Sequence, residues 1–181
     1  KKDGTITAGS GIFRLQGGAF PGAPMEFTAM CAFAPYNLEN VKQIGYDVLS
    51  NRPKQAAYRA PGSPMAAFAV ESVIDELCNK LELDPIEVRL KNASKQGTKA
   101  SFGPTWDRIG LVECLEAAQK HPHYSAPIKK GQGRGISSGF WFNHGGETAV
   151  TLALSEDGTA ALSVGTPDIG GSRASMCQMA A

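Results

Sequence analysis

The stretch AYRAPGSPMAAFAVESVIDELCNKLELDPIEVRLKN, residues 57–92, contains the clearest helix signals in the chain. Ser63 is a favoured N-cap residue and Pro64 suits the first helical position, and apolar residues then recur at helical spacing. We therefore predict a helix that begins at Ser63 and continues to Leu81. It follows a tight turn of small residues, glycine and proline that holds Arg59.

A second start signal follows at once, because Asp84 can cap and Pro85 can open a helix that we expect to end near Asn92. The remaining predicted elements begin with a β-hairpin or meander over 3–20 that turns at Gly-Ser-Gly 9–11, a helix over 25–34, a strand over 40–49 and a helix over 110–120. Strands follow over 133–143, 147–155 and 160–166, and the turn Glu156-Asp157-Gly158 is expected to join the last two in a hairpin. A final helix is entered from GTPDIGGSRAS, 165–175. This order predicts the α+β class, with a two-layer mixed β-sheet and packed helices.

The composition fits a folded domain with no electrostatic attraction to polyanions. The 181 residues are 42% hydrophobic, and 18 basic against 17 acidic residues leave a net charge of +1. This balance argues against a nucleic-acid partner. No apolar run approaches the ~20 residues that cross a bilayer, so we expect no transmembrane segment. The four cysteines contain no CxxC pair and are expected to be buried free thiols.

Two turns combine glycines with the start of a helix, AYRAPGSP at 57–64 and GTPDIGGSRAS at 165–175. Unpaired N–H groups and the helix dipole at such a position favour an anionic or oxo-rich ligand. Ordinary capping explains the same residues. The aromatic cluster Phe140–Phe142 and Trp106 likewise have two interpretations, a binding patch or part of the core. The residues alone leave both questions open.

A family resemblance covers most of the chain. Residues 57–92 resemble the Arg-x-x-Gly-x-Pro turn and the Asp-Pro-x-Glu-x-Arg helix of the molybdenum-binding large subunit in the xanthine dehydrogenase and aldehyde oxidase family. The stretches PYNLENVKQIGYDVLSN at 35–51 and DGTAALSVGTPDIGGSRASMCQMAA at 157–181 are similar to the same family in order and spacing. The resemblance implies a single molybdopterin-binding-type domain over 1–181, a fragment of a longer subunit truncated at both ends.

The resemblance also implies roles for individual residues. Arg59 would approach the oxo ligands of the molybdenum centre, and Ala60 and Pro61 would line the substrate side. The turn formed by Gly170, Gly171 and Ser172 would present amides to the pterin cofactor. No direct metal ligand and no catalytic residue is expected in this fragment, because the family's catalytic glutamate lies beyond residue 181.

The implied reaction is oxidative hydroxylation of an aldehyde or an N-heterocycle with oxygen derived from water. The implied cofactor is molybdopterin, in the cytosine dinucleotide form if the protein follows the bacterial members. Iron–sulfur clusters and FAD would lie on partner subunits or domains, since this chain lacks a suitable cysteine set. The resemblance further implies a cytoplasmic oxidoreductase, of which this fragment alone is inactive.

Departures from the family pattern narrow these expectations. Pro61 stands where the xanthine enzymes have a substrate-stacking phenylalanine, which disfavours a purine, and Ala60 replaces the cysteine of carbon monoxide dehydrogenases. Gly171 and Ser172 replace the glutamine and glycine of DIGQG. Two alternatives therefore stand beside the enzyme: a non-catalytic scaffold homologue, and an unrelated anion-binding α+β module.

Overall fold

The computed structural model describes residues 1–142 and 146–181, which divide into two compact units, 1–141 and 142–181. The elements of the first unit are β1 (Ala8–Gly18), α1 (Met25–Ala32), β2 (Asn40–Leu49), α2 (Ser63–Leu81), α3 (Pro85–Asn92), α4 (Leu111–Lys120) and α5 (Pro122–Ser125). Those of the second unit are β3 (Val150–Leu154), β4 (Ala160–Val164) and α6 (Ser172–Ala180). The predicted helices are therefore present, and α4 matches its expected range to within one residue.

β1 and β2 form a parallel pair connected through α1. The register runs from Ala8 opposite Asn40 to Gln16 opposite Val48. Parallel neighbours need a crossover connection, and α1 supplies it. The hairpin or meander predicted over 3–20 is wrong, because β1 runs straight through the Gly-Ser-Gly sequence. A β-carbon on Gly9 would lie 2.9 Å from the ring of Phe33, so this glycine permits close packing and forms no turn.

The apolar core of the first unit lies where α2 and α3 meet the chain after α1. Tyr36, Ile74, Cys78 and Val88 are its buried members. The start of α3 follows its prediction, since the carboxylate of Asp84 accepts hydrogen bonds from the first-turn amides.

The second unit begins with an antiparallel hairpin. β3 pairs with β4 from Val150 opposite Val164, and Gly158 takes the left-handed conformation, φ 82°, that the tight turn requires. The strand predicted over 133–143 is wrong for 133–142, which has no regular secondary structure, and Asn143 lies outside the described residues. That segment is held by one hydrogen bond donated from Ser63 of α2 and one donated to Glu71 of α2, and not by a strand ladder.

The α+β class is confirmed, and the expected mixture of strand directions is present as two separate pairs, one parallel and one antiparallel. The single domain over 1–181 stays a prediction beside the two compact units. Among the described residues, the helices are too short or too polar to cross a bilayer. Two cysteines depart from expectation, because Cys114 and Cys177 are exposed while Cys31 and Cys78 are buried.

Candidate functional site

The arginine turn, residues 59–63, presents Arg59 to solvent at the start of α2. Ala60 has a left-handed backbone, φ 52°, and the Ser63 amide donates to the Ala60 carbonyl at 3.1 Å. A non-glycine residue in this conformation is strained, and such strain concentrates at functional sites. Ala60 and Pro61 are half-buried in the turn.

The N-cap of α2 differs from its prediction. Gly62 occupies that position, with φ 86° and no side-chain cap, and Ser63 is the first helical residue. The Ser63 hydroxyl donates to the Phe140 carbonyl at 2.5 Å. This serine therefore ties the turn to a distant segment and leaves the helical amides uncapped.

Gly62 seats the turn against α1. A β-carbon at this position would lie 2.6 Å from the amide nitrogen and from the hydroxyl of Thr28, and 2.7 Å from the Pro24 carbonyl. Thr28 is itself buried, and its hydroxyl donates to Pro24 at 2.7 Å. Only glycine permits this contact, so the turn rests on a rigid base.

The Arg59 guanidinium is available to a ligand. The residue is exposed, and among the described residues no carboxylate lies within 4.0 Å of it. A guanidinium offers five donors in a planar fork, which suits oxo and phosphate oxygens. The chemistry of this donor therefore fits the cofactor that the resemblance implies.

An aromatic pair flanks the arginine turn. Phe27 directly precedes Thr28, which packs against Gly62 of the turn. Trp141 directly follows Phe140, whose carbonyl accepts from Ser63. The two rings lie 5.8 Å apart at 49°, and each side chain is partly exposed. The sequence left open whether Trp141 belongs to a binding patch or to the core. It did not indicate Phe27, because no local signal places α1 beside residue 141.

The glycine turn, residues 168–172, lies in the second unit and enters α6. Gly170 and Gly171 have φ of 134° and 84°, and in the part of the chain that the structure describes no atom lies within 4 Å of a β-carbon placed on Gly171. The side chain of Asp168 accepts hydrogen bonds from the Gly170 amide at 3.0 Å and from the Ser172 hydroxyl at 3.1 Å. The Gly170 amide, and then the Ser172 hydroxyl, lower the pKa of Asp168.

The Asp168 carboxylate occupies one of the amide donors that the glycine turn could present to a ligand. Asp168 engages the Gly170 amide, whereas α6 has no side-chain cap at Gly171 and its first-turn amides lack intrahelical partners. The open space at Gly171 and these amides fit an oxygen-rich group. The arginine turn and the glycine turn belong to different compact units, and each is described by itself.

Comparison with known proteins decides the family. The family model described as the molybdopterin cofactor-binding domain matches residues 1–93, which include the arginine turn and both helices after it. The chain belongs to the molybdopterin cofactor-binding domain family. The alternative of an unrelated anion-binding module is therefore wrong.

The relatives of this molybdopterin-binding chain are oxidoreductases. It is 32% identical over 135 residues to an aldehyde oxidoreductase of Megalodesulfovibrio gigas, covering 73% of this chain and 15% of the relative. It is 34% identical over 137 residues to the xanthine dehydrogenase molybdenum-binding subunit of Escherichia coli O157:H7, covering 67% of this chain and 18% of the relative.

The fold is also found in a solved relative. The aldehyde oxidoreductase structure from Desulfovibrio desulfuricans matches with a TM-score of 0.69 and 25% identity, over 89% of this chain and 19% of that one. The chain thus spans less than a quarter of the length of each of these relatives.

Proposed function

We propose that this chain is part of a molybdenum hydroxylase that oxidatively hydroxylates an aldehyde or an N-heterocycle with oxygen derived from water. The observation that carries the proposal is the arginine turn, with an exposed Arg59 beside a strained Ala60 on a glycine-supported base. Names of the relatives, aldehyde oxidoreductase and xanthine dehydrogenase molybdenum-binding subunit, support the same reaction class. When bound, the molybdenum cofactor supplies the two-electron redox chemistry.

The residues of this chain bind and orient the reactants. Arg59 donates charge-assisted hydrogen bonds to cofactor oxygens, and Ala60 and Pro61 line the substrate side. Gly171 and Ser172 present amides at the start of α6. Gly170 contributes through its left-handed backbone, while its own amide donates to Asp168.

We further propose the extent of the domain, the form of the cofactor and the groups that accept the electrons. Residues 1–181 form one molybdopterin-binding-type domain of a longer cytoplasmic subunit and supply part of the cofactor pocket. The cofactor has the cytosine dinucleotide form, and iron–sulfur and flavin subunits or domains accept the electrons. The 181 residues alone are inactive, because the pocket is incomplete without the remainder of the subunit.

The first test is elemental analysis of the full-length protein purified from its native host. We expect about one molybdenum atom per chain and turnover in a screen of aldehydes and N-heterocycles. Absence of molybdenum, in a host whose other molybdoenzymes are loaded, would overturn the proposal. Turnover by residues 1–181 alone would contradict the assignment of an incomplete pocket.

A second candidate, a non-catalytic scaffold homologue, is favoured by one observation. Gly171 and Ser172 replace the glutamine and the glycine of the family's DIGQG turn, so the glutamine side chain is missing from this turn. A stably folded native protein that contains no molybdenum, and that gains molybdenum on Gly171→Gln, would support the scaffold.

A further inference from the structure

Glu71 is a buried carboxylate in the middle of α2 that serves three hydrogen-bond donors. Oε2 accepts from the Arg89 Nε at 2.8 Å and from the Ser138 backbone amide at 2.8 Å, and Oε1 accepts from the Tyr36 hydroxyl. Glu71 is 4% exposed and Arg89 is 0% exposed. An ionised carboxylate at this depth requires a counter-ion and full hydrogen bonding, and both are present.

Arg89 does not depend on Glu71 alone. Its Nη2 also pairs with the Asp75 carboxylate at 2.7 Å, and its Nη1 donates to the Pro85 carbonyl at 3.1 Å. The Glu71 carboxylate therefore binds the Ser138 amide in addition to forming its ion pair with Arg89. It reaches across 67 positions to a segment without regular secondary structure.

Residues 138–140 are tied to α2 at both ends. Ser138 is held by Glu71, and Phe140 is held by the Ser63 hydroxyl at 2.5 Å. Side chains on a helix lean toward its N-terminus, so the Glu71 carboxylate extends along α2 toward the first turn. The two contacts thus fix the path of this segment beside the arginine turn.

We propose that Glu71 is a positioning residue for the arginine turn and for the Trp141 side chain, acting through the Ser138 amide. Trp141 directly follows Phe140 and packs on Phe27 with ring centroids 5.8 Å apart. Loss of the Ser138 contact leaves this segment held only by the hydrogen bond from Ser63 to Phe140, which loosens the position of the ring pair. The consequence for catalysis rests on the proposed function, but the contact itself can be tested without cofactor.

The test is fluorine NMR of the protein labelled with 5-fluorotryptophan. The sequence contains two tryptophans, and Trp141→Phe identifies the Trp141 resonance. Glu71→Met removes the carboxylate oxygens, whereas Glu71→Gln keeps one acceptor for the Ser138 amide. We expect the Trp141 resonance to shift or broaden in the methionine variant and to return to its native position in the glutamine variant.

A stability control separates positioning from general weakening. Asp75→Asn weakens the other ion pair of Arg89 and leaves the Ser138 contact in place. We expect a loss of stability without movement of the Trp141 resonance. An equal movement in Asp75→Asn would overturn the inference, because the resonance would then report only on the ion-pair network.

A backbone variant keeps the test decisive if Glu71→Met does not fold. Ser138→Pro removes the amide donor, and Ser138→Ala keeps the amide while deleting the side-chain hydroxyl. We expect the Trp141 resonance to move, and the amides of Gly139 and Phe140 to exchange roughly tenfold faster, in Ser138→Pro alone. An unmoved Trp141 resonance in a folded Ser138→Pro protein would overturn the inference and leave the molybdenum measurement unaffected.

Discussion

The hydroxyl of Ser63 donates to the carbonyl oxygen of Phe140 at 2.5 Å, across 77 positions of the chain. This hydrogen bond joins the first residue of α2 to the segment that precedes Trp141. Ser63 therefore makes a tertiary contact, although the sequence pattern predicts that it caps the helix. The arginine turn is thus held from two sides, by Gly62 on α1 and by Ser63 on Phe140.

Ser63→Ala should lower the free energy of unfolding by about 1 kcal/mol, since a largely buried hydrogen bond is lost. Urea unfolding at constant m-value measures the change. Ser72→Ala is the matched control, because Ser72 is exposed on the same helix and alanine favours helix there. Equal stabilities of the two variants would contradict a structural role for the Ser63 contact.

Gly62→Ala should destabilise the first unit by about 3 kcal/mol or more. The new β-carbon meets Thr28 at 2.6 Å, and the left-handed φ of 86° adds strain. Gly97→Ala is the control, because Gly97 has φ 83° and no atom of residues 1–142 or 146–181 lies within 4 Å of its β-carbon position. We expect this control to lose only about 1 kcal/mol. Thermal and urea unfolding should rank the two variants, and a reversed order would refute the close approach.

Arg59→Ala should reduce retained molybdenum in the full-length protein about tenfold or more, as expected for a lost charge-assisted contact. The unfolding free energy should change by less than about 0.5 kcal/mol, because Arg59 is exposed. Elemental analysis and urea unfolding of the same preparation provide both values. Arg52→Ala, at another exposed arginine, is the control. A similar molybdenum loss in both variants would remove the special role assigned to Arg59.

Stability should fall at alkaline pH through Tyr36. Burial, and then the negative charge of Glu71, raises the pKa of Tyr36 above its ordinary value. The folded state therefore holds the phenolic proton more tightly than the unfolded state. The resulting stability is complete below about pH 10 and declines above it, by about 1.4 kcal/mol per pH unit.

The measurement compares unfolding free energies at about pH 9 and about pH 11. Tyr36→Phe should reduce the difference by about 1.4 kcal/mol, although its stability at neutral pH also falls with the loss of the Glu71 hydrogen bond. Tyr58→Phe, at a side chain that is 89% exposed, should leave the difference unchanged. An alkaline decline that persists in full in Tyr36→Phe would assign it to other groups.

Local sequence signals predicted the elements whose hydrogen bonds stay within a few residues. Asp84 accepts from the amides of Ile86 and Glu87, as its N-cap position predicts. The turn at Gly158 likewise forms within its own hairpin. The family followed from the same stretch, since the arginine turn and the next two helices are contiguous in the chain.

Elements that depend on distant contacts were not predictable in this way. The glycines at 9 and 11 suggest a turn until Phe33 is seen to pack over Gly9. Alternation over 133–142 suggests a strand, yet Ser138 and Phe140 are bound to α2 by Glu71 and Ser63. Glu71 itself carries no local signal, because a glutamate on a helix is normally solvated.

The sequence by itself determined the helices and the turn at Gly158, because capping and turn formation act over a few residues of chain. The family was indicated by the resemblance of the quoted motifs. Only the tertiary structure decided that Gly62, the N-cap residue of α2, packs against Thr28. It also decided that the carboxylate of Glu71 reaches Ser138. These arrangements depend on which side chains meet across the fold, and that information is not contained in local spacing.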